Sequence, residues 1–491
     1  MKVAFLSLRA DEPLAYGLMA LASTLRRRGH EVALVQANDI ATIVSSDKTQ
    51  AADVLAMSAT TGLHRIYLAW AHRLRAAFPE KIMVMGGPHP TFFPQVVGQA
   101  PLDGVCLGEG EESFPEFLDL AAAGFPSVPA GWWIRRERGR GPVEQGTDRG
   151  PVRDLDTLPS PAFDLFYDAD AHYRMEPNKS FLATRGCPYR CSYCFNRNLN
   201  ERNRPFGPLL RSRDPERLCD DILEVRARWG MKLCWFLDAN FTANLPWLEA
   251  FTAVYKRRVG VPVFCKLRPE RATERVVRLL VELGCTGVGV GIESGSERIR
   301  RHILCRPAGD QDILAGCRRL KAAGIRIMSF SMLGIPGASL DDELRSVALN
   351  VACGVDLAAA TILQPYPGTA IAAWAESNGH FDGNYDRLGY SYFDPSPFRF
   401  PSPRARDRVT NLQRLFSYAV EFPEVRHHIR WLIEREPNRL YHFLFKTRQT
   451  RGIRQGFYRA FQRGAAVDAG TPEHLLRACR DLRLVENPEA T

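Results

Sequence analysis

Three thiols stand close together in the stretch Phe181-Leu-Ala-Thr-Arg-Gly-Cys-Pro-Tyr-Arg-Cys-Ser-Tyr-Cys-Phe-Asn196. They are Cys187, Cys191 and Cys194, in the spacing C-x3-C-x2-C. An apolar, strand-like run over residues 181–184 leads into them, and Gly186 and Pro188 force a loop. Three cysteines on one short loop can reach the same metal centre. A four-iron cluster ordinarily takes four thiolates, so three leave one iron open to another ligand. Arg185 and Arg190 bracket the first thiol, and nearby cations favour the thiolate, which is the form that ligates metal. Tyr193 lies between the second and third cysteines and offers a flat face to a bound base. A zinc knuckle would need a fourth ligand, and the nearest histidine, His172, sits ahead of the strand without ligand spacing.

With these residues the loop resembles that of the radical S-adenosylmethionine (SAM) enzymes. In that family the three cysteines hold a [4Fe–4S] cluster, and the amino and carboxylate groups of SAM chelate the open iron. One electron from the cluster then breaks the sulfonium bond and yields a 5′-deoxyadenosyl radical. The resemblance implies Cys187, Cys191 and Cys194 as the cluster ligands.

Such a loop needs a scaffold. Residues 176–385 alternate strand and helix patterns in six units, counting the cluster strand, which suits an open, partial β/α barrel. In β/α barrels the chemistry sits at the carboxyl ends of the strands. Asp238 and Asn240 follow the second strand, where a carboxylate and an amide could hold the SAM ammonium. Arg268 follows the third and could pair with the SAM carboxylate in a forked contact. Glu293 and Ser294 end the fourth, with Glu293 placed to accept ribose hydroxyls. Residues 333–337 end the fifth and suit an adenine face. Tyr366, after the sixth, is expected to face substrate. In this order the strand ends resemble the amino, carboxylate, ribose and adenine contacts of the radical SAM domain. Asp238-Ala-Asn240 stands where the family often has G-G-E.

Residues 1–125 carry a first alternating pattern, with strands expected at 3–8, 31–36, 54–58, 82–85 and 104–107. This implies a doubly wound, Rossmann-like parallel sheet, which binds ligands at its strands' carboxyl ends. No G-x-G-x-x-G follows the first strand, which argues against NAD or FAD. Met57-Ser-Ala-Thr-Thr-Gly-Leu-His64, Gly86-Gly-Pro-His-Pro-Thr-Phe-Phe-Pro94 and Gly108-Glu-Gly-Glu111 resemble the cobalamin-binding domain that precedes the radical SAM domain in one subgroup. That resemblance implies cobalamin contacts at Ser58, Thr61, Gly86, Gly87, His89 and Glu109. The D-x-H-x-x-G motif, whose histidine ligates cobalt from below, is absent, so no residue is assigned as lower ligand.

The remaining stretches are read from composition. Residues 126–175, rich in proline and charge, are expected to be a linker with a small hairpin near 132–136. Residues 386–491 read as an α-helical region, with helices at 404–421, 424–435, 438–445 and 472–484. Tyr390, in an aromatic loop at its start, is the second residue expected to meet substrate. The fold class is therefore α/β: a Rossmann-like cobalamin-binding-type domain, a partial (β/α)6 TIM-like barrel and a helical C-terminal region.

The chain has 491 residues, 12 cysteines and a formal net charge of +10. No run of about 18 apolar residues marks a membrane span. The cysteines of a long chain without a signal-like segment read as reduced thiols in the cytoplasm. The arginines are scattered rather than gathered, which fits a solvated basic surface instead of a nucleic-acid site. That surface suits an acidic electron donor such as flavodoxin or ferredoxin. The leading functional expectation is cobalamin-dependent C-methylation of a small natural product. Its alternatives are a corrin-independent dehydratase or epimerase of a sugar, an RNA-modifying enzyme, and a non-enzymatic sensor.

Overall fold

The computed structural model describes residues 1–9, 16–389 and 391–448. The first unit is a seven-stranded sheet in the order β2-β1-β3-β4-β5-β6-β7. Its strands are β1 Lys2–Ser7, β2 Glu31–Gln36, β3 Val54–Ser58, β4 Ile82–Gly86, β5 Gly104–Cys106, β6 Trp132–Ile134 and β7 Glu144–Gln145. The first five pair in parallel, in the flavodoxin-like order whose crevices open at the carboxyl ends. β6 and β7 add antiparallel to the β5 edge. The five sequence-read strands fall within a residue or two of those observed.

The expected linker is not one. Its hairpin completes the first sheet, and Trp132 is buried in the core, stacked on Phe117 at 4.1 Å with Nε1 donating to the Ser113 carbonyl at 3.2 Å. Phe163, Phe166 and Tyr167, farther along, belong to a core cluster that also contains Phe5 and Met19 of the first unit and Phe181 and Phe236 of the second. Apolar side chains that proline-rich spacing had masked therefore join the two units in one core.

The second unit is six parallel strands in the order β15-β14-β13-β12-β11-β8, with a separate antiparallel pair, β9 and β10. The strands are β8 Asn178–Phe181, β9 Thr184–Arg185, β10 Arg211–Ser212, β11 Leu233–Phe236, β12 Val263–Leu267, β13 Cys285–Glu293, β14 Arg326–Leu333 and β15 Leu357–Ile362. The helices between them carry ordinary start signals. Asp214 caps Pro215–Trp229, Thr273 caps Glu274–Glu282, and Ser339 with Asp342 forms a capping box on Leu340–Ala352. Outward positions such as Cys234, Phe236, Val288 and Ile327 pack under these helices, while the alternate residues face the concave side.

The strand before the cysteines starts earlier than the apolar run suggested. It ends at Phe181, because Asp238 accepts the Ala183 and Thr184 N–H groups at 3.1 and 2.6 Å and draws the chain off the sheet. The expected helix 424–435 is two short helices, Pro423–His427 and Ile429–Leu432. Helices Phe195–Asn203 and Ala370–Ser377 were not expected. The helix expected at 472–484 lies outside the described residues. Among the described residues no helix is long and apolar enough to cross a membrane.

Trp132→Ala is expected to cost about 3–5 kcal/mol, read as a lowered urea midpoint, with Trp132→Phe retaining most of the stability. A segment that only tethered two domains would leave the midpoint unchanged.

Candidate active site

The cysteine loop begins at Gly186, which has φ +90°. A Cβ there would lie 1.8 Å from the Leu209 carbonyl oxygen, so only glycine permits the turn. The loop is pinned to its surroundings at several points. Asn200 Nδ2 donates to the Cys187 carbonyl at 2.6 Å, Ser192 Oγ to the Ile303 carbonyl at 2.6 Å, and Asn196 Nδ2 to Cys194 Sγ at 3.6 Å. Cys194 then stands at the N-terminal boundary of helix Phe195–Asn203. Burial pushes all three thiols above their ordinary pKa, and Cys187, Cys191 and Cys194 are close enough for charge on one to act on another.

The cations that offset this are not the ones adjacent in sequence. Arg185 turns away to Glu111 and Glu109 at 2.5 and 3.3 Å, and Arg190 is an exposed partner of Glu201. Arg268 and Arg306 lower the Cys187 and Cys191 thiols instead. Arg268 lies over the Tyr189 ring at 3.9 Å, with Nη1 4.0 Å from Cys191 Sγ. Arg306 was not foreseen, since nothing in the spacing marks it; it follows Cys305, whose φ is +52°.

These arginines belong to one buried network. Arg268 pairs with Glu270 at 2.5 Å, and Arg306 pairs with Glu270 at 3.5 Å and with Glu293 at 2.9 Å. Arg306 Nη1 also lies 3.5 Å from the Tyr193 hydroxyl. Glu293 sits at φ +67°, beside the bulge where β13 slips against β14, and a Cβ on Gly291 would be 2.2 Å from its Oε1. Burial raises the Glu293 pKa, against the pull of Arg306. Ser294 is buried, and its hydroxyl accepts the Ser296 N–H at 3.2 Å, so it shapes the turn.

Asp238 departs from the expected role. Its carboxylate is fully buried and taken up by Ala183 N, Thr184 N and Thr184 Oγ1. It positions the loop rather than facing a ligand. Asn240 Oδ1 accepts from Thr242 Oγ1 at 3.2 Å, while its Nδ2 is buried without a partner. A free donor suits an acceptor such as a carboxylate, not an ammonium. Glu343 is fully buried and accepts the Gly334 N–H at 2.8 Å, fixing the loop after β14.

In the first unit, Gly86, Gly87, Gly108 and Gly110 line a cavity of about 60 Å³ with Ser58 at its side. A Cβ on Gly87 would lie 2.8 Å from Ser58 Oγ. His89 is buried, hydrogen-bonded through Nδ1 to Thr61 Oγ1 at 3.1 Å and stacked on His64 at 3.7 Å. Burial and His64 push its pKa down to about 3, so the ring is neutral at physiological pH.

Glu109, expected at the corrin, instead accepts from Arg211 at 2.7 and 2.9 Å and from the Val152 N–H at 3.0 Å. Burial acts to raise its pKa, but Arg211 and Arg185 outweigh it and hold it below the ordinary range. Arg211 and Arg185 are direct cross-strand partners, so Glu109 separates two like charges that would otherwise repel. Nearby, Phe92 of the first unit stacks on Phe195 at 5.1 Å, and Phe195 meets Tyr366 at 5.4 Å. The carboxyl ends of the two sheets thus meet across the cysteine loop. Tyr366 lies at that seam, and Tyr390 lies outside the described residues.

Two family models match separate parts of the chain. Residues 4–118 match the model of the B12 binding domain, and residues 181–348 match that of the radical SAM superfamily. The uncharacterized methyltransferase PH0819 of Pyrococcus horikoshii is 27% identical over 74% of this chain and 78% of its own length. The cobalamin-dependent radical SAM methyltransferase TokK of Streptomyces tokunonensis is 31% identical over 43% of this chain and 31% of its own. The structure of the methyltransferase TsrM from Kitasatospora setae with cobalamin and a [4Fe–4S] cluster superposes with a TM-score of 0.67 at 16% identity, covering 98% of this chain and 99% of that one, a likeness of fold.

The residues fit both groups. Among the described residues no three His, Cys, Asp or Glu side chains gather for a single metal ion, and a cubane asks for something else: soft thiolates, each on its own iron. Three thiols on one pinned loop meet that demand. The glycines at 86, 87, 108 and 110 let backbone come close to a flat ligand at the strand ends of the first sheet, and the unpartnered Asn240 donor offers SAM a hydrogen bond.

Glu109→Ala would leave Arg211 without its carboxylate at a buried seam and take from Arg185 one of its two carboxylate partners. It is expected to cost about 3–5 kcal/mol in the cofactor-free protein, measured by thermal or urea denaturation. A Glu109 that served only to bind corrin would leave cofactor-free stability unchanged.

Proposed function

Because this chain belongs to the radical SAM superfamily and carries a B12-binding domain ahead of its barrel, we propose that it is a cobalamin-dependent radical SAM methyltransferase acting on an unreactive carbon of a small molecule. The observation that carries the reading is the seam: Glu109 and Phe92, from strand ends of the first sheet, contact Arg185, Arg211 and Phe195 on and beside the cysteine loop. A methyl donor and a hydrogen-abstracting centre must reach the same substrate atom, and this seam sets the two faces against one another.

When bound, the cluster and SAM supply hydrogen-atom abstraction and the corrin supplies the methyl group. The chain's own residues do the rest. Cys187, Cys191 and Cys194 hold the cluster, and Arg268 and Arg306 favour their thiolates. Asn240 Nδ2 offers a hydrogen bond to an acceptor on SAM. Tyr193, Glu293 and Arg306 hold one another in place at the rim, so a ribose or base meets a preset surface. The Phe92–Phe195 stack and the tilted Tyr366 ring beside it line one side of the seam. Ser58 and the glycines at 86, 87, 108 and 110 shape the corrin side. The net charge of +10 supports docking of an acidic one-electron donor such as flavodoxin or ferredoxin, and a reducing cytoplasm suits such a centre.

One anaerobic turnover with mass spectrometry of the SAM-derived products tests the reading. Methyl transfer is expected to give S-adenosylhomocysteine together with 5′-deoxyadenosine, and a corrin spectrum that stays with the protein. 5′-Deoxyadenosine without S-adenosylhomocysteine would overturn methylation in favour of a corrin-independent dehydratase or epimerase.

A further inference from the structure

The concave face of the six-stranded sheet is only partly covered. Along it, Trp235 on β11, Lys266 on β12, Gly291 on β13, Phe330 on β14 and Ala359 and Thr361 on β15 are half-buried between buried neighbours. That alternation marks one face in contact with solvent. Leu233, Phe264, Met328 and Leu357 are buried and form its floor, and Trp235 stacks on Phe264 at 4.0 Å.

β13 contributes no side chain to the centre of this face. Gly287, Gly289 and Gly291 occupy the inward positions of β13, with Val288 and Val290 packed on the outer side. Gly289 is the register partner of Lys266. A Cβ on Gly289 would lie 2.9 Å from Phe330 Cε2 and 3.1 Å from Lys266 Cγ. The glycine therefore lets the lysine stem and the phenyl ring lie close over the sheet.

Lys266 brings a positive charge onto an otherwise aromatic and aliphatic wall. Among the described residues no hydrogen bond or ion pair is recorded for its Nζ. The carboxylate that acts on it electrostatically is Asp238, whose oxygens already serve Ala183 and Thr184. Burial lowers the Lys266 pKa, and Asp238 opposes this only in part. A partly desolvated ammonium without a direct ion-pair partner gains by pairing with an anion. Aromatic faces beside it would hold an apolar body.

The geometry points to Lys266 as the residue that selects the substrate: a small molecule with an apolar or aromatic body and one anionic group, carboxylate or phosphate, which pairs with the Lys266 ammonium while the body lies between Trp235 and Phe330. This rests on the reading of the barrel mouth as the active site. It does not depend on whether the outcome is methylation. The same chemistry is present in the carboxylate of SAM, so the test separates the two sources.

Binding of phenylacetate, phenyl phosphate and benzyl alcohol is measured by ligand-observed NMR on the reconstituted enzyme saturated with SAM. The same measurement is made on Lys266→Met and Lys266→Arg, with SAM affinity followed in parallel. The two anions are expected to bind about tenfold more tightly than the alcohol, the size of one charge-assisted contact. Lys266→Met is expected to abolish that preference without weakening SAM, and Lys266→Arg to keep it. Equal binding of all three probes to the parent enzyme overturns the proposal. So does a preference that survives in Lys266→Met, or a loss of SAM affinity in that variant with the probe preference intact. Failure to detect S-adenosylhomocysteine leaves these outcomes untouched and bears on the methylation reading alone.

Discussion

The structure depends on one carboxylate held between two arginines. Glu109 comes from the end of β5 in the first unit, and Arg185 and Arg211 come from the small β9–β10 pair of the second. Arg185 is two residues before the first cysteine. A buried ion pair of this kind adds little net stability, but removing one partner is costly. Its effect is therefore to fix a geometry: the cysteine loop has one orientation towards the strand ends of the first sheet. The Phe92–Phe195 stack and the core shared through Phe163, Phe166 and Tyr167 hold the same orientation from other sides.

A second consequence concerns charge. The loop buries three thiols, which disfavours the thiolates that a cluster requires. Arg268 and Arg306 act against that burial, and both would be costly to bury alone. Glu270 and Glu293 balance them, and the Tyr193 hydroxyl joins the set. Residues from the loop, from the turn after β12, from β13 and from the segment after it thus form one electrostatic unit at the barrel mouth. Glu293 at positive φ, next to a bulge, shows that the backbone accepts strain to keep that carboxylate in the unit.

Much of this was legible in the sequence. The C-x3-C-x2-C spacing marked the loop, and two runs of alternating strand and helix marked both sheets, because apolar periodicity and Gly/Pro punctuation are local signals. What was misread is non-local. Arg185 and Arg190 bracket Cys187 in sequence, yet the cations that face the thiols, Arg268 and Arg306, lie 81 and 119 positions beyond it, on elements brought there by the fold. Glu109 stands in a glycine-flanked strand end that resembles a ligand contact, but its partners are 76 and 102 positions away. Asp238 resembles a ligand-facing strand-end acid, and its actual targets are backbone N–H groups that no side-chain pattern displays. Proline-rich composition made residues 126–175 look like a tether and hid Trp132 and the aromatic run behind it.

The central claim is that Cys187, Cys191 and Cys194 hold a cluster with one iron open to SAM at this seam. Electron paramagnetic resonance of the reduced, reconstituted enzyme tests it most directly, using SAM isotopically labelled at its amino nitrogen. The account requires magnetic coupling between the label and the cluster, lost when any one of the three cysteines becomes alanine. A cluster signal that shows no coupling while SAM is bound, or that retains coupling in those variants, would contradict it.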